Sequence, residues 1–584
     1  RMTSWKTNIM LVADNGNAAD HMKQSDAMAL NISCVDKQPY LLDKVYIDAY
    51  PREGGIYQGA RDDMFRLLNE GVAWWMYLGH ANTTSWTSDG LLTYNDINNR
   101  MYYNSYPMLF AATCEFLRWD SHNISGGELL YHERNGGIIG AISAVRPVYI
   151  GDNGKLAASL SRFISQRDED GRLLAVGEMY RQAKNASPEE NNRRYVFMGD
   201  PALRIATPYN VAVLKSVNSV EVKGLSIEDL PVVGALDQPV FAGVVTDPSG
   251  NVLEDFNGLI TVSIYDAEYS VTSNGDPNSP ESPAGDGVKH TFEKHGSRIY
   301  AGSTSVKDGH WEIKASIPLD IADNFRPASL SMYAYSTADG DGREAAGISS
   351  DFYVYGYAES PELDTTAPVI ETMVLNHSSF KDGDRVNTNP VLLACVRDDI
   401  GLNLSSSGIG HQMSLVIDEK TSISGLSQYF VPSTDGSASG TITYPLEELA
   451  EGKHTLRLRV WDTSGNSVSR TISFEVGRNV APVIHDVYTD VNPASVSANF
   501  YVSHNRPEVM ADVTVTVYNL MGQAIWSGKV SGRSDSFIST PVTWDLTDYS
   551  GRRVARGIYL YRAAITTDGE TYDTAAKRIA VTGN

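Results

Sequence analysis

The sequence predicts a multidomain chain: an α/β unit with a mostly parallel sheet over the first 207 residues, followed by β-sandwich (Ig-like) domains. Three observations carry this reading. At 584 residues the chain exceeds what one hydrophobic core can serve, and roughly three to five domains are expected. Up to residue 207, apolar runs of strand length alternate with helical stretches of about 10–15 residues, the pattern of right-handed crossovers between parallel strands. Past Pro208 helical periodicity stops, and short alternating strands appear between turns rich in Gly, Asp, Asn and Pro.

Taken in order, Thr7 to Ala13 is an apolar strand that ends in the turn signal Asp14-Asn15-Gly16. Ala18 to Ile32 reads as a helix and Asp43 to Asp48 as a short strand. Gly59 to Glu70 sets Met64, Phe65, Leu67 and Leu68 among charges, and Gly71 closes it as a helix C-cap would. Val72 to Leu78 and Pro107 to Ala112 are buried strands, with a short helix near Tyr94 to Asn99 between them. Ser125 to Asn135 is a helix with a Gly-Gly ending, Ile138 to Ser143 a strand, and two helices come after it near Lys155 to Gln166 and Arg172 to Lys184. In the second half, Val240 to Thr246, Leu259 to Tyr265 and Trp311 to Ile317 alternate as strands do. Ser273 to Gly287 carries too little apolar surface to order itself and reads as a mobile insertion.

An internal echo places the later boundaries. Ala367-Pro368-Val369-Ile370 recurs as Ala481-Pro482-Val483-Ile484, each opening a new strand-rich stretch. The expected units are 1–207, 208–364 with the insertion, 365–479 and 480–584. A second echo, Asp247 to Asn251 and Asp462 to Asn466, marks hairpin turns. Asp398-Asp399-Ile400-Gly401 reads first as a turn, and its oxygens also suit a structural calcium ion; no cofactor is otherwise required.

Lys and Arg total 48 against 71 Asp and Glu, a net charge of -23. No basic patch is left to neutralise phosphates, so the acidity reads as a solvated surface and nucleic acid is excluded as a partner. Three cysteines, Cys34, Cys114 and Cys395, are too few for a disulfide framework; Cys395 reads as core packing in a strand. No stretch is long and apolar enough to span a bilayer as a helix. A charged leader is absent, and Arg1 to Thr7 read as an interior cut, so the natural chain is expected to begin upstream.

The chemistry concentrates at two strand ends, Tyr77-Leu78-Gly79-His80-Ala81 and Phe110-Ala111-Ala112-Thr113-Cys114-Glu115. In open parallel sheets that edge is where sites form. His80 as base and Cys114 as nucleophile would make a thiolate that attacks a carbonyl. Asp14 or Asn15, at the end of a neighbouring strand, could accept the imidazole N–H, and the main-chain N–H groups of Cys114 and Ala81 would serve a developing oxyanion. Metal chemistry is the weaker reading, because His21, His80, His122 and His132 are scattered and no Cys-x-x-Cys or His-Glu-x-x-His occurs. No pair of carboxylates is singled out for glycoside hydrolysis, and no phosphate-binding fingerprint succeeds a strand.

These residues carry a resemblance. Tyr-Leu-Gly-His80, Ser85-Trp86, the strand ending in Cys114, Gly127-Glu128-Leu129-Leu130, Gly136-Gly137-Ile138-Ile139 and Phe197-Met198-Gly199-Asp200-Pro201 together resemble the gingipain family of cysteine peptidases (C25, caspase-like fold) over residues 1 to about 207. The Cys114-Glu115-Phe116 region, with Ser125 to Leu129 and Arg146-Pro147-Val148-Tyr149, most resembles that family's sortase branch, which serves type IX secretion. The resemblance implies a caspase-like catalytic domain with Cys114 as nucleophile, His80 as base, Asp14 or Asn15 as the third member, and Ala81 where the family has glycine. Asp20 and Asp26 are the nearest acids for a basic-P1 pocket, and arginine specificity is not carried over. The family's preceding subdomain is missing, in keeping with an upstream start. Val517 to Gln523 with Gly557 to Arg562 is similar to FlgD-like folds and to type IX sorting domains.

The resemblance further implies a cell-surface cysteine peptidase and transpeptidase, peripherally attached to the bacterial outer membrane. It would remove the C-terminal sorting domain of secreted cargo through a thioester and pass the cargo to an amine of lipopolysaccharide. An outer-membrane β-barrel partner (PorV-like) is implied with it. A secreted endopeptidase that is itself cargo, and a catalytically silent scaffold, stay open as alternatives.

Overall fold

The structure is a computed structural model. It describes residues 4–582 apart from 36–37, 102, 104, 134–135, 277–286, 339, 362–363, 379, 409, 447–448, 478–483, 505–509, 535–537 and 568–569. The N-terminal sheet has six strands: β1 (Asn8–Ala13), β2 (Leu41–Tyr46), β3 (Trp74–Leu78), β4 (Met108–Ala112), β5 (Gly140–Ala144) and β6 (Tyr195–Met198). Their order is β2-β1-β3-β4-β5-β6, parallel except for the edge strand β6, which pairs antiparallel with β5. Helices α1 (Gly16–Ser33), α2 (Gln58–Glu70), α3 (Tyr94–Asn99), α4 (Gly126–His132), α5 (Ile150–Phe163) and α6 (Val176–Ala186) lie between the strands in the chain.

Both sheet faces are covered, which is why the central strands β3 and β4 are apolar at every position rather than at alternate ones. Trp74, Met76, Leu78 and Phe110 pack with α1, α5 and α6, whereas Trp75, Tyr77, Leu109 and Ala111 pack with α2, α3 and α4. The helix ends obey their caps. Thr93 and Asp96 close a capping box at α3, Ser125 and Glu128 do so at α4, and Gly71 ends α2 at φ +99° with its N–H on Leu67.

Beyond residue 207, helices of any length give way to strands. The strands Asn210–Val217, Val240–Thr246, Gly258–Tyr265, Arg298–Lys307, His310–Lys314, Ser329–Ser336 and Glu344–Ser349 pair in a ring, because Val240–Thr246 also bonds to Asn210–Val217. This differs from the β-sandwich expected for 208–364. Closing the ring removes the exposed edges that an open sheet carries. Residues 369–476 form two sheets, of four and five strands, around one apolar core, and residues 484–581 form two further sheets around another.

Three further expectations need amending. The sequence pattern gives no sign of β6; the strand is four residues long and only one of them is fully buried, too short to show a period. Cys395 does not pack in the core: Leu392, Ala394 and Val396 face inward along Val391–Arg397, which turns Cys395 to the other, partly exposed face. The insertion Ser273 to Gly287 is anchored at its start, where the Asn274, Gly275 and Asp276 amides donate to the Asp48 carbonyl and carboxylate (2.8, 2.7 and 3.1 Å). Residues 277–286 of that insertion, Ala481 to Val483 of the echo, Arg1 to Thr3 and the expected helix end at Asn135 lie outside the described residues.

Candidate active site

Register brings the two reactive side chains to neighbouring strand ends. β3 and β4 pair in parallel with Leu78 opposite Ala112, so His80 and Cys114 each stand two residues past matched positions. They are 34 residues apart in sequence, and adjacency comes entirely from the pairing. Cys114 is partly exposed, not a sealed core thiol. Its sulfur receives the Val148 N–H at 3.4 Å and lies 3.7 Å from the Val148 carbonyl, so the loop after β5 supplies a thiolate-stabilising donor.

The turn that carries Cys114 is tightly held. Glu115 adopts φ +50°, an unusual value for a non-glycine residue and a mark of an over-determined loop. Phe116 and Leu117 are buried beneath it, the Leu117 N–H bonds to Ala144, and Gly127 of α4 donates to the Phe116 carbonyl (2.9 Å). A Cβ at Gly127 would stand 2.8 Å from that carbonyl, so the glycine is what lets α4 seat against the nucleophile loop.

His80 is placed from its backbone outward. Its N–H donates to Asp14 Oδ2 (2.6 Å), and its carbonyl accepts from the Tyr77 hydroxyl (2.6 Å). Gly79 makes this approach feasible, because a Cβ there would stand 2.7 Å from Asp14 Oδ2 and nearer still to the Tyr77 hydroxyl. Tyr77 in turn stacks on Trp86, the rings 4.0 Å apart and nearly parallel. The imidazole Nε2 lies 2.8 Å from Asn17 Oδ1. An oxygen acceptor there favours the tautomer with the proton on Nε2.

Asp14 is fully buried and serves two histidines. Its Oδ1 meets His21 Nδ1 at 2.5 Å and accepts the Gly16 N–H (3.0 Å), while Oδ2 holds the His80 amide. Burial alone would raise its pKa; the charge and hydrogen bond of His21, aided by His80, outweigh that and hold it below the ordinary carboxylate value. The His21 and His80 rings meet edge to face at 5.0 Å.

The expected residues thus stand at the ends of the neighbouring strands β1, β3 and β4, and Asp14 and Asn15 hold partners other than the His80 ring. Asp14 holds the backbone of His80 and the ring of His21. Asn15 is buried at the same strand end with its amide toward the Tyr57 hydroxyl (3.4 Å), and that hydroxyl also reaches Asp276 of the insertion (3.4 Å). The residue on the His80 ring is Asn17, which comes after Asn15 in a run of three residues with positive φ, Asn17 to Ala19. Sequence reasoning misses it because nothing in Gly16-Asn17-Ala18-Ala19 signals such a bend. His21, scattered in the sequence, is brought to His80 by the first turns of α1, so that one ligand atom each of Asp14, His21 and His80 lies within 4.8 Å of the others.

For the oxyanion donors, the bridge between Ala81 and Trp86 runs through the His80 carbonyl and the Asn82 N–H, which leaves the Ala81 amide outside that pairing. The acids considered for a basic-P1 pocket are neutralised: Asp20 by Lys23 (3.0 Å) and Asp26 by Lys44 (2.5 Å). Next to the thiol, Glu115 pairs with Arg118 and Asp120 with Arg146.

Residues 1–206 match the model of peptidase family C25. No curated protein matches the chain. Among solved structures, dimeric latent PorU from Porphyromonas gingivalis is 30% identical, with 77% of this chain and 42% of that chain covered and a TM-score of 0.32. The Arg-specific cysteine proteinase gingipain R (RgpB) is 14% identical, covering 60% and 68% at a TM-score of 0.30, as is the complex of Porphyromonas gingivalis RgpB pro- and mature domains at 60% and 69%. The chain thus spans less than half the length of the PorU chain it matches.

Proposed function

We propose, from the C25 pattern carried by residues 1–206, that the protein is a cysteine peptidase using Cys114 and His80. The observation that carries this is the β3–β4 register, which sets a partly exposed thiol and an imidazole bonded to Asn17 at adjacent strand ends. His80 takes the Cys114 proton, and the thiolate adds to the scissile carbonyl. The imidazolium returns its proton to the leaving amine as the C–N bond breaks, leaving a thioester on Cys114. Water or an amine then displaces the sulfur, which regains its proton through His80.

The finer reading is a sortase-type transpeptidase, in which cargo bearing a C-terminal sorting domain is the acyl donor and an amine of surface lipopolysaccharide the acceptor. Its support is the motif set around Cys114, Ser125 to Leu129 and Arg146 to Tyr149. A cell-surface place beside an outer-membrane β-barrel partner goes with it. Among the described residues no helix is long and apolar enough to cross a membrane. Incubation of a purified cargo with the protein and an amine acceptor tests both halves. An amide product that disappears with Cys114→Ala supports transfer. Cleavage without amide reduces the reading to a peptidase, and no cleavage together with no thiol-probe labelling of Cys114 leaves a scaffold.

A further inference from the structure

Far along the chain from the strand ends, three aspartates from separate stretches converge. Asp364 precedes the strand Val369–Leu375, Asp398 comes just after Val391–Arg397, and Asp462 just after Gly452–Trp461. One carboxylate oxygen from each lies within 4.8 Å of the other two. Asp462 is fully buried and Asp398 is 8% exposed. Among the described residues none of the three forms an ion pair with Lys, Arg or His.

Their hydrogen bonds leave acceptors over. Asp398 Oδ1 takes the Ile400 and Gly401 N–H groups (3.0 and 2.8 Å). Asp462 Oδ1 takes those of Ser464 and Asn466 (2.9 and 2.8 Å), and its Oδ2 takes the Asn466 amide (2.7 Å). Asp364 Oδ1 takes the Thr366 N–H (2.7 Å). The second oxygens of Asp364 and Asp398 are then buried with no donor at all. Burial, and the neighbouring Asp462 and Asp364, push Asp398 up to about 6; burial and Asp364 likewise raise Asp462. Buried carboxylates aimed at one another without a counter-charge are the arrangement that a cation resolves.

We infer that Asp364, Asp398 and Asp462 form a divalent-cation site, and that calcium is the ion it takes. The donors are hard oxygens only, which excludes the nitrogen and sulfur preferences of zinc and copper. Oxygens all within 4.8 Å of one another can reach a single ion at calcium's bond length of about 2.3–2.6 Å, and calcium accepts several protein oxygens in flexible geometry, whereas magnesium demands near-ideal octahedral geometry and keeps several waters. The suggestion of calcium at the Asp398 turn thereby gains two partners that no recognisable motif links to it.

The site would act as a clasp at a joint. Asn466 Nδ2 also donates to the Asp364 carbonyl (2.9 Å), so the chain entering Val369–Leu375 is tied to the Asp462 turn. The same two turns touch the preceding ring of strands: Ser316 Oγ donates to the Ile400 carbonyl and the Leu319 N–H to the Thr463 carbonyl, both at 2.8 Å. A cation that fixes the Asp398 and Asp462 turns therefore fixes the seam between residues 316–319 and the sheets of residues 369–476.

Calorimetric titration of the EDTA-treated full chain with calcium chloride tests this. Wild type is expected to bind one calcium ion more than Asp398→Asn or Asp462→Asn, and to gain thermal stability on calcium addition that both variants fail to gain. Should those variants misfold by circular dichroism, Asp364→Asn on the half-buried entering chain takes their place. Terbium bound at the site is expected to luminesce through Trp461, adjacent to Asp462, and to lose most of that signal in Trp461→Phe. No calcium uptake by wild type, equal stoichiometry in wild type and a folded variant, or terbium emission indifferent to Trp461 would each overturn the assignment.

Discussion

On the proposed chemistry Cys114 needs a proton acceptor, and the strand register puts His80 at the neighbouring strand end with Asn17 on its Nε2. Cys114→Ala is expected to abolish peptide cleavage and labelling by a thiol-directed probe, whereas His80→Ala should lower the cleavage rate by on the order of 10²–10⁴-fold while the thiol remains chemically present. Asn17→Ala leaves both reacting groups in place, so it should reduce kcat with little change in KM and shift the pH profile of kcat, as loss of an orienting group does. Asp14 belongs to folding as much as to chemistry. Breaking its fully buried pair with His21 by Asp14→Asn should cost about 3–5 kcal/mol in urea denaturation. Because its folded pKa is depressed, Asp14 contributes stability above the ordinary carboxylate value of about 3.9 that is lost as pH falls through its lower folded value.

At the scale of elements, the nucleophile turn depends on how closely α4 can approach. Gly127→Ala places a Cβ against the Phe116 carbonyl at 2.8 Å, so the Cys114 loop must shift. The expected outcome is a drop in kcat larger than the drop in thermal stability, read from parallel kinetics and melting curves. The turns between later strands repeat one device. In Asp247–Asn251, Asp462–Asn466, Asn519–Gln523 and Asp548–Arg552, the first side chain accepts the N–H four residues on, and the backbone bonds back across the turn. The echoes in sequence are legible because that chemistry needs Asp or Asn first and Gly fourth. The edge strand β6 is not legible, since four residues carry no period, and neither is the ring closure, which is a long-range pairing.

Across the whole molecule, the α/β unit is joined to the ring of strands by polar contacts. Lys6 binds Glu344 (2.5 Å), and His295 binds Asp43 of β2 (3.0 Å) beside a cleft of about 480 Å³ that Arg66, Glu70 and Arg298 also line. Burial would lower the His295 pKa, but the Asp43 hydrogen bond and charge raise it above its ordinary value; burial would raise Asp43, and His295 holds it low. The stabilisation from protonated His295 is complete below about pH 6.5 and is lost as pH rises through its raised folded value. His295→Gln should therefore cost more thermal stability at pH 6 than at pH 9. Equal costs at the two pH values would remove the pair as a pH-dependent part of the joint.

The sequence by itself determined the strands β1 to β5 of the α/β unit, the helices between them, the acidic surface and the two strand ends that bear a thiol and an imidazole, because burial on both sheet faces, helix capping and turn chemistry are written in local residue patterns. Tertiary structure decided what meets across distance: the strand ends of His80 and Cys114 side by side through register, Asn17 on the His80 ring, His21 on Asp14, and three aspartates drawn from roughly a hundred residues into one cluster. Such meetings depend on strand pairing and loop closure, and a local pattern holds no record of either.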